Sequence, residues 1–253
     1  MTKYASLACL ICAFGMLWLP LGQHHFLFEH WMKLGTFMAP FLLLIAFAFG
    51  PAHESSPELS IRLFSLWLLI AYIAHQFEEH WVDLYGSIYA FKPFLNAMLL
   101  ERLGGEDGAS PPLSDAGVFV INTSLVWLVA GFAIWRGASH VFPALCMASI
   151  VLVNAISHIG AAVSAGAYNP GLLTAAVVFI PLSIWVYVRL VRSGAASGLE
   201  AAASLLWGFL GHVVMILGII ASGWWMVVPE LLFFAVLIAW SISPVFIFRS
   251  KLG

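Results

Sequence analysis

LFSLWLLIAYIAHQFEEHWVDLYG occupies residues 63–86. Its first half carries no charge and has the length and apolarity of a helix buried in hydrocarbon. Then His75, Glu78, Glu79, His80 and Asp83 arrive within nine positions. An ionisable side chain in a bilayer costs at least ~2.5 kcal/mol on insertion scales, so such groups turn inward and find partners. At 3.6 residues per turn, His75, Glu78 and Glu79 fall within about 100° on one helical face. Asp83 continues that face one turn on, Tyr72 begins it one turn before, and His80 points elsewhere. One helix thereby presents an imidazole and two carboxylates to one point.

The rest of the chain agrees with a membrane setting. Of its 253 residues 62% are hydrophobic and 9% charged, and a soluble exterior cannot be built from that mixture. A net charge of −2, with no basic block, argues against nucleic acid as a partner and leaves membrane lipids. A spanning helix needs about 20 mostly apolar residues. That rule yields an all-α polytopic bundle of about eight spans, at 4–22, 34–50, 61–81, 116–135, 141–162, 171–188, 201–221 and 226–248. The N-terminal run is expected to be a retained helix, since no small-x-small cleavage site follows it. FKPFLNAMLL, from residue 91, is too short to cross and reads as an interfacial or re-entrant helix. Cys9 and Cys12 form C-x-x-C inside an apolar helix and, like Cys146, are expected to pack.

Lysine and arginine placement sets the expected orientation. Lys3, Arg62, Arg136, Arg189, Arg192, Arg249 and Lys251 fall on one side, and Lys33, Lys92 and Arg102 on the other. Both termini are therefore expected in the cytoplasm. His75 to Asp83 then lie in the outer leaflet, with Asn154, His158, Asn122, Thr123 and Glu230 at the same level, and His212 near mid-membrane. HFLFEHWMKLG from residue 25 echoes HQFEEHWVDLYG from residue 75, with Phe28 where Glu78 stands. Residues 1–60 thus read as a degenerate two-helix repeat of 61–115 within a single membrane domain, 1–253, that ends in a helix pair at 198–253. The echo makes His25 and Glu29 secondary candidates, beside Asp83 and His212.

Three chemistries suit the cluster. Imidazole and carboxylate suit a divalent Zn or Fe ion, with His75, Glu79 and His158 as ligands and Glu78 or Asp83 bridging a second ion or orienting a histidine. Two adjacent carboxylates can instead share a proton and activate water without metal, Asn154 and His158 polarising a carbonyl. A Glu-Glu-His set can also bind an ion or relay protons in a transporter. The leading expectation is a metal-dependent membrane enzyme acting on a lipid or other apolar substrate.

His75-Gln-Phe-Glu78-Glu79, a later Asn154 and His158 four apart, and Tyr168-Asn-Pro170-Gly171 follow one another in that order. In this the chain resembles the HXXEE family of integral membrane proteins, described by an HXXEE motif, a further histidine and a YXPG motif. The resemblance covers 61–190. It implies a membrane location, singles out His75, Glu78, Glu79, His158, Tyr168, Pro170 and Gly171, and implies no reaction. Within the YXPG element, Pro170 is expected in the first turn of a helix, where its missing N–H costs nothing, and Gly171 to permit close approach. Tyr168 can then reach over the site as a hydrogen-bond donor.

Overall fold

A computed structural model describes residues 24–49, 57–105 and 110–248. Among them the chain is helical and has no strands. Among the described residues six helices are long and apolar enough to cross a membrane: α1 (Phe26–Ala48, within His24–Phe49), α2 (Ser60–His80, within Pro57–His80), α4 (Asp115–Arg136), α5 (Phe142–Ala165), α6 (Leu172–Arg192) and α7 (Gly198–Trp224). The short α3 (Phe91–Leu103) lies between α2 and α4. The final apolar helix, α8 (Glu230–Val245), is shorter than the expected 226–248, because Val227 and Val228 hydrogen-bond back to Ala221 and Pro229 precedes the first turn. The expected span at 4–22, with Cys9 and Cys12, lies outside the described residues.

The bundle is arranged around α5. The first ten residues of that helix, Phe142 to Val151, are all buried, and α2, α4, α6 and α7 pack about it. Lipid tails are as apolar as leucine, so helices associate through close packing and polar contacts rather than by escaping water. Ala144, Cys146, Ala148 and Ser149 let neighbours approach, and the Tyr187 hydroxyl of α6 donates to the Leu145 carbonyl at 3.1 Å. Glu200 closes a capping box with Ser197 at the start of α7.

Two places depart from the sequence expectation and shape the site. α1 begins at His24, about ten residues before the expected 34, so HFLFEHWMKLG starts a helix. Its echo does the opposite and ends one at His80. Beyond His80 the chain makes a tight turn, with Val82 and Ile88 bridged antiparallel. Asp83 therefore leaves the helical face that it was expected to continue. Its Oδ1 accepts from Tyr85 N at 2.9 Å and Ser87 N at 2.8 Å and organises the turn. The turn delivers α3 beneath the end of α2, where the Phe91 ring stands 4.9 Å from that of His80.

Charge separates along the bundle. Arg62 bonds the Ile134 carbonyl, so the start of α2 and the end of α4 lie together. Lys33 stacks over Trp81 and Tyr89, and Arg102 donates to Ser164, all at the opposite end, where the α2 cluster lies.

Candidate functional site

The end of α2, the last turns of α5 and the start of α6 meet at a buried centre. His75 is fully buried, and Glu78, Glu79 and His158 are 4–6% exposed. His75 and Glu79, one turn apart on α2, stand 3.4 Å from each other (Nε2 to Oε2). His158 Nε2 approaches the other carboxylate oxygen of Glu79 to 3.3 Å. One ligand atom from each of these three residues can be chosen so that all lie within 4.8 Å of one another, a geometry able to hold a metal ion.

Partners on the outer ring nitrogens fix which inner atoms are free. Asn169 donates from Nδ2 to the His158 carbonyl at 2.9 Å, so its Oδ1 faces His158 Nδ1, 2.7 Å away, as an acceptor. His158 thus carries a proton on Nδ1 and turns Nε2 to Glu79. Thr174 Oγ1 donates to Glu78 Oε2 at 2.6 Å. Having one proton, that hydroxyl accepts from His75 Nδ1 at 2.8 Å. His75 thus carries a proton on Nδ1, and its Nε2 is buried without a hydrogen-bond partner. Both Nε2 atoms face the Glu79 carboxylate, and in the neutral imidazoles both are free to ligate an ion.

His80 joins this centre, against the expectation that it turns aside. Trp127 donates to Gln76 Oε1 at 3.0 Å, Gln76 donates to Asn122 Oδ1 at 3.0 Å, and Asn122 Nδ2 lies 3.1 Å from His80 Nε2. An indole N–H can only donate, so the chain runs one way and turns the Asn122 amide –NH₂ towards His80. Nε2 of His80 is also 2.9 Å from Glu79 Oε2, within hydrogen-bonding distance of the carboxylate. A helical wheel sets His80 about 100° from Glu79, but α1 and α4 cover that side of α2 too. The Trp31 ring of α1 stands 5.2 Å from His80.

Glu78 does not share the centre, although it was expected as a ligand. Its Oε1 accepts from the Tyr168 hydroxyl and the Leu173 amide, each at 3.0 Å. Its Oε2 accepts from the Thr174 amide at 2.7 Å and from the Thr174 hydroxyl. Those amides are in the first turn of α6, where unpaired N–H groups and the helix dipole favour an anion. The adjacent carboxylates are therefore split between a helix terminus and the histidines, which removes the geometry for a shared proton. Tyr168 also accepts from Leu84 N at 3.1 Å, tying the turn after α2 to Glu78. Burial and the Glu78 carboxylate push its phenol up, so it stays protonated as a donor at neutral pH.

Gly171 closes the centre. It caps α6 with φ 92°, in the left-handed region. A Cβ there would come within 2.7 Å of His75 Cε1 and 2.9 Å of His158 Cε1. Pro170 precedes this cap and is buried, rather than standing in the first turn: the helix needs the Leu173 and Thr174 amides free for Glu78, and starts only at Leu172.

Asn154 makes no hydrogen bond to His75, Glu79 or His158. With Tyr72, His80 and His212 it lines a small chamber of about 60 Å³ that also reaches Glu79, and its Oδ1 is buried without a partner. That volume takes a few waters or one small polar group. His212 Nδ1 donates to the Gly208 carbonyl at 2.8 Å. Glu29 is exposed on α1, outside the centre, and nothing is described of the His25 side chain. Sequence reasoning passed over Thr174, Asn169 and Gln76 as partners. Thr174 was the discoverable one, as a lone hydroxyl in the first turn of an apolar helix.

Exchange of Glu78 for glutamine is expected to cost about 2–4 kcal/mol of stability, since an amide –NH₂ would replace an acceptor facing several donors. Metal affinity should change far less than in a Glu79 variant. Thermal melting in detergent and chelator competition check the two halves; equal metal loss in both variants would refute the split.

The helical bundle and its buried centre define a multi-pass membrane protein with a two-histidine, one-carboxylate site. Residues 66–186 match the family described as a protein of unknown function with HXXEE motif, and this stretch of the chain is an HXXEE domain. No curated protein and no solved structure matches the chain.

Proposed function

We propose that this protein is a membrane-embedded, metal-dependent enzyme in which His75, Glu79 and His158 hold one divalent Zn or Fe ion and act on an apolar or lipid substrate. One observation carries the reading. Fixed partners on Nδ1 turn Nε2 of His75 and of His158 towards Glu79 in a buried site, and these three residues offer ligand atoms within 4.8 Å of one another. Held this way, the two neutral imidazoles and the carboxylate suit a divalent cation. Three protein ligands leave an open position, as catalytic rather than structural sites do. Bound there, the ion supplies Lewis-acid polarisation of a substrate oxygen. Asn169 and Thr174 are positioning residues for the imidazoles. His80 stands within 2.9 Å of Glu79 Oε2, and Asn154 lines the chamber beside it.

After metal-replete expression, elemental analysis of the detergent-purified protein should find about one Zn or Fe per chain. A metal-free wild type would sink the reading. Ion flux into proteoliposomes that depends on Glu79, without chemical turnover, would replace the enzyme by a transporter.

The charge separation supports a cytoplasmic location for both termini and an external location for the centre. Cysteine placed at Ser87, in the exposed turn after α2, is expected to react with a membrane-impermeant maleimide only from outside. Labelling only from the cytoplasm would invert the topology.

A further inference from the structure

The small chamber beside the metal-ligand centre is walled by several helices. Tyr72 and Glu79 come from α2, Asn122 from α4, Asn154 from α5, and His212 and Met215 from α7. It adjoins the centre through Glu79, and the Tyr72 ring stands edge-on to that of His75 at 5.5 Å.

The polar atoms of the wall fall into two groups. Those of Asn122 are engaged, with Gln76, His80 and the Val118 carbonyl. The Tyr72 hydroxyl, Nδ2 of Asn154 and Nε2 of His212 have no hydrogen-bond partner among the described residues. None of these three is sealed off. Each keeps surface open to a water molecule, unlike Oδ1 of the same Asn154. Tyr72 is only 4% exposed, so the surface it retains serves the chamber that it lines. Native interiors rarely leave such groups without a partner, protein or ordered water. Donor and acceptor roles say what the partner is. His212 donates from Nδ1 to the Gly208 carbonyl, so in the neutral ring Nε2 accepts. The Asn154 –NH₂ donates, and a phenol does either. The occupant therefore both donates and accepts. Among the described residues no Lys or Arg lines the chamber, and Glu79 brings a carboxylate, which disfavours an anion. A cation would meet the Asn154 –NH₂. The volume of about 60 Å³ holds a few waters, each of which needs two to four polar partners.

We propose that this chamber is a built-in water site, in which a few ordered waters held by Tyr72, Asn154 and His212 stand against Glu79 and supply the open position of the centre. Three helices, α2, α5 and α7, each contribute one polar group to it, within a bundle otherwise lined by aliphatic side chains. The inference rests on the proposed enzyme only in giving that water a use. The waters bind with or without an ion, and the two readings can therefore fail separately.

The test is X-ray footprinting of the full chain in nanodiscs, in ¹⁸O-water. A short pulse turns bound water into hydroxyl radicals, which oxidise the side chains beside it. Met215 lines the chamber; Met147, in the buried part of α5, is fully buried and does not. Mass spectrometry should find ¹⁸O on Met215 at least about tenfold faster than on Met147. Tyr72→Phe combined with Asn154→Leu removes two hydrogen bonds, each worth about fivefold in affinity, and should slow Met215 labelling at least about tenfold. Chelator-treated protein should label like untreated protein. Equally slow labelling of Met215 and Met147 in the wild type would overturn the proposal, and that comparison decides the matter if the variant misfolds. So would Met215 labelling that is indifferent to the double substitution in a variant that melts normally. Fast labelling of Met215 in a protein that never binds metal would overturn the metalloenzyme and leave the water site standing; a metal-loaded protein with a dry chamber would do the reverse.

Discussion

Glu79→Ala lowers the affinity for Zn²⁺ by more than about 100-fold, while Asn169→Ala lowers it by about 10- to 100-fold. The first change deletes a ligand; the second releases the proton-bearing nitrogen of His158 from its acceptor at 2.7 Å. Loss of such an outer partner alone typically weakens a metal site by 10- to 100-fold, which sets a floor for loss of a ligand itself. His75→Ala should match Glu79→Ala, because both would hold the same ion from positions one helical turn apart. Competition with a calibrated chelator measures the series, and elemental analysis of purified protein checks the stoichiometry. Wild-type metal binding by Glu79→Ala, in a variant that melts normally, would exclude the ion from this centre. The order is informative too. A greater loss from Asn169→Ala than from Glu79→Ala would mean that the imidazoles, and not the carboxylate, dominate the site.

Gly171→Ala is expected to cost about 3 kcal/mol and to lower the melting temperature by roughly 6–12 °C, taking ~2–4 °C per kcal/mol for a chain of this size. Two terms add. A side chain at φ 92° carries left-handed strain of about 1–2 kcal/mol. Its Cβ would also press on His75 Cε1 and His158 Cε1, and overpacking of that kind costs about 1–3 kcal/mol. The rings cannot step aside without breaking their bonds to Thr174 and Asn169. Gly166→Ala is the control. Its φ of 60° is left-handed as well, but a Cβ there meets nothing within 4 Å, so the strain term alone remains, about 1 kcal/mol. Equal melting temperatures for the two variants would show that Gly171 serves the turn and not the closure of the site. Metal affinity should fall in Gly171→Ala and stay unchanged in Gly166→Ala.

Much of this protein is legible from its sequence because the bilayer imposes simple local rules. An apolar run of about 20 residues satisfies its backbone only as a helix, and so α2, α4, α5, α6 and α7 appear within a few residues of their expected bounds. The i, i+4 spacing of His75 and Glu79 places them on one face of α2 whatever surrounds it, since a helix period is a property of the chain alone. The breaks were less legible. Where α2 stops depends on Asp83 gathering the amides of Tyr85 and Ser87, and where α6 starts depends on a carboxylate from another helix.

The division of labour between two neighbouring glutamates belongs to tertiary structure. Glu78 and Glu79 are the same residue type in adjacent positions, and both fall on the His75 face of the helix. The partners of Glu78, at Tyr168, Leu173 and Thr174, and His158 at Glu79 lie 79 to 96 residues away in the chain. His80 was misjudged for the same reason. A helical wheel gives the direction of a side chain, but only the packing of α1 and α4 determines that this direction is interior. Composition and periodicity determined that histidine and carboxylate would meet inside a membrane bundle. Which ring nitrogens face Glu79 was decided by hydrogen bonds between α2, α5 and α6, because ring direction is set by the partner across the gap and never by the chain on one side of it.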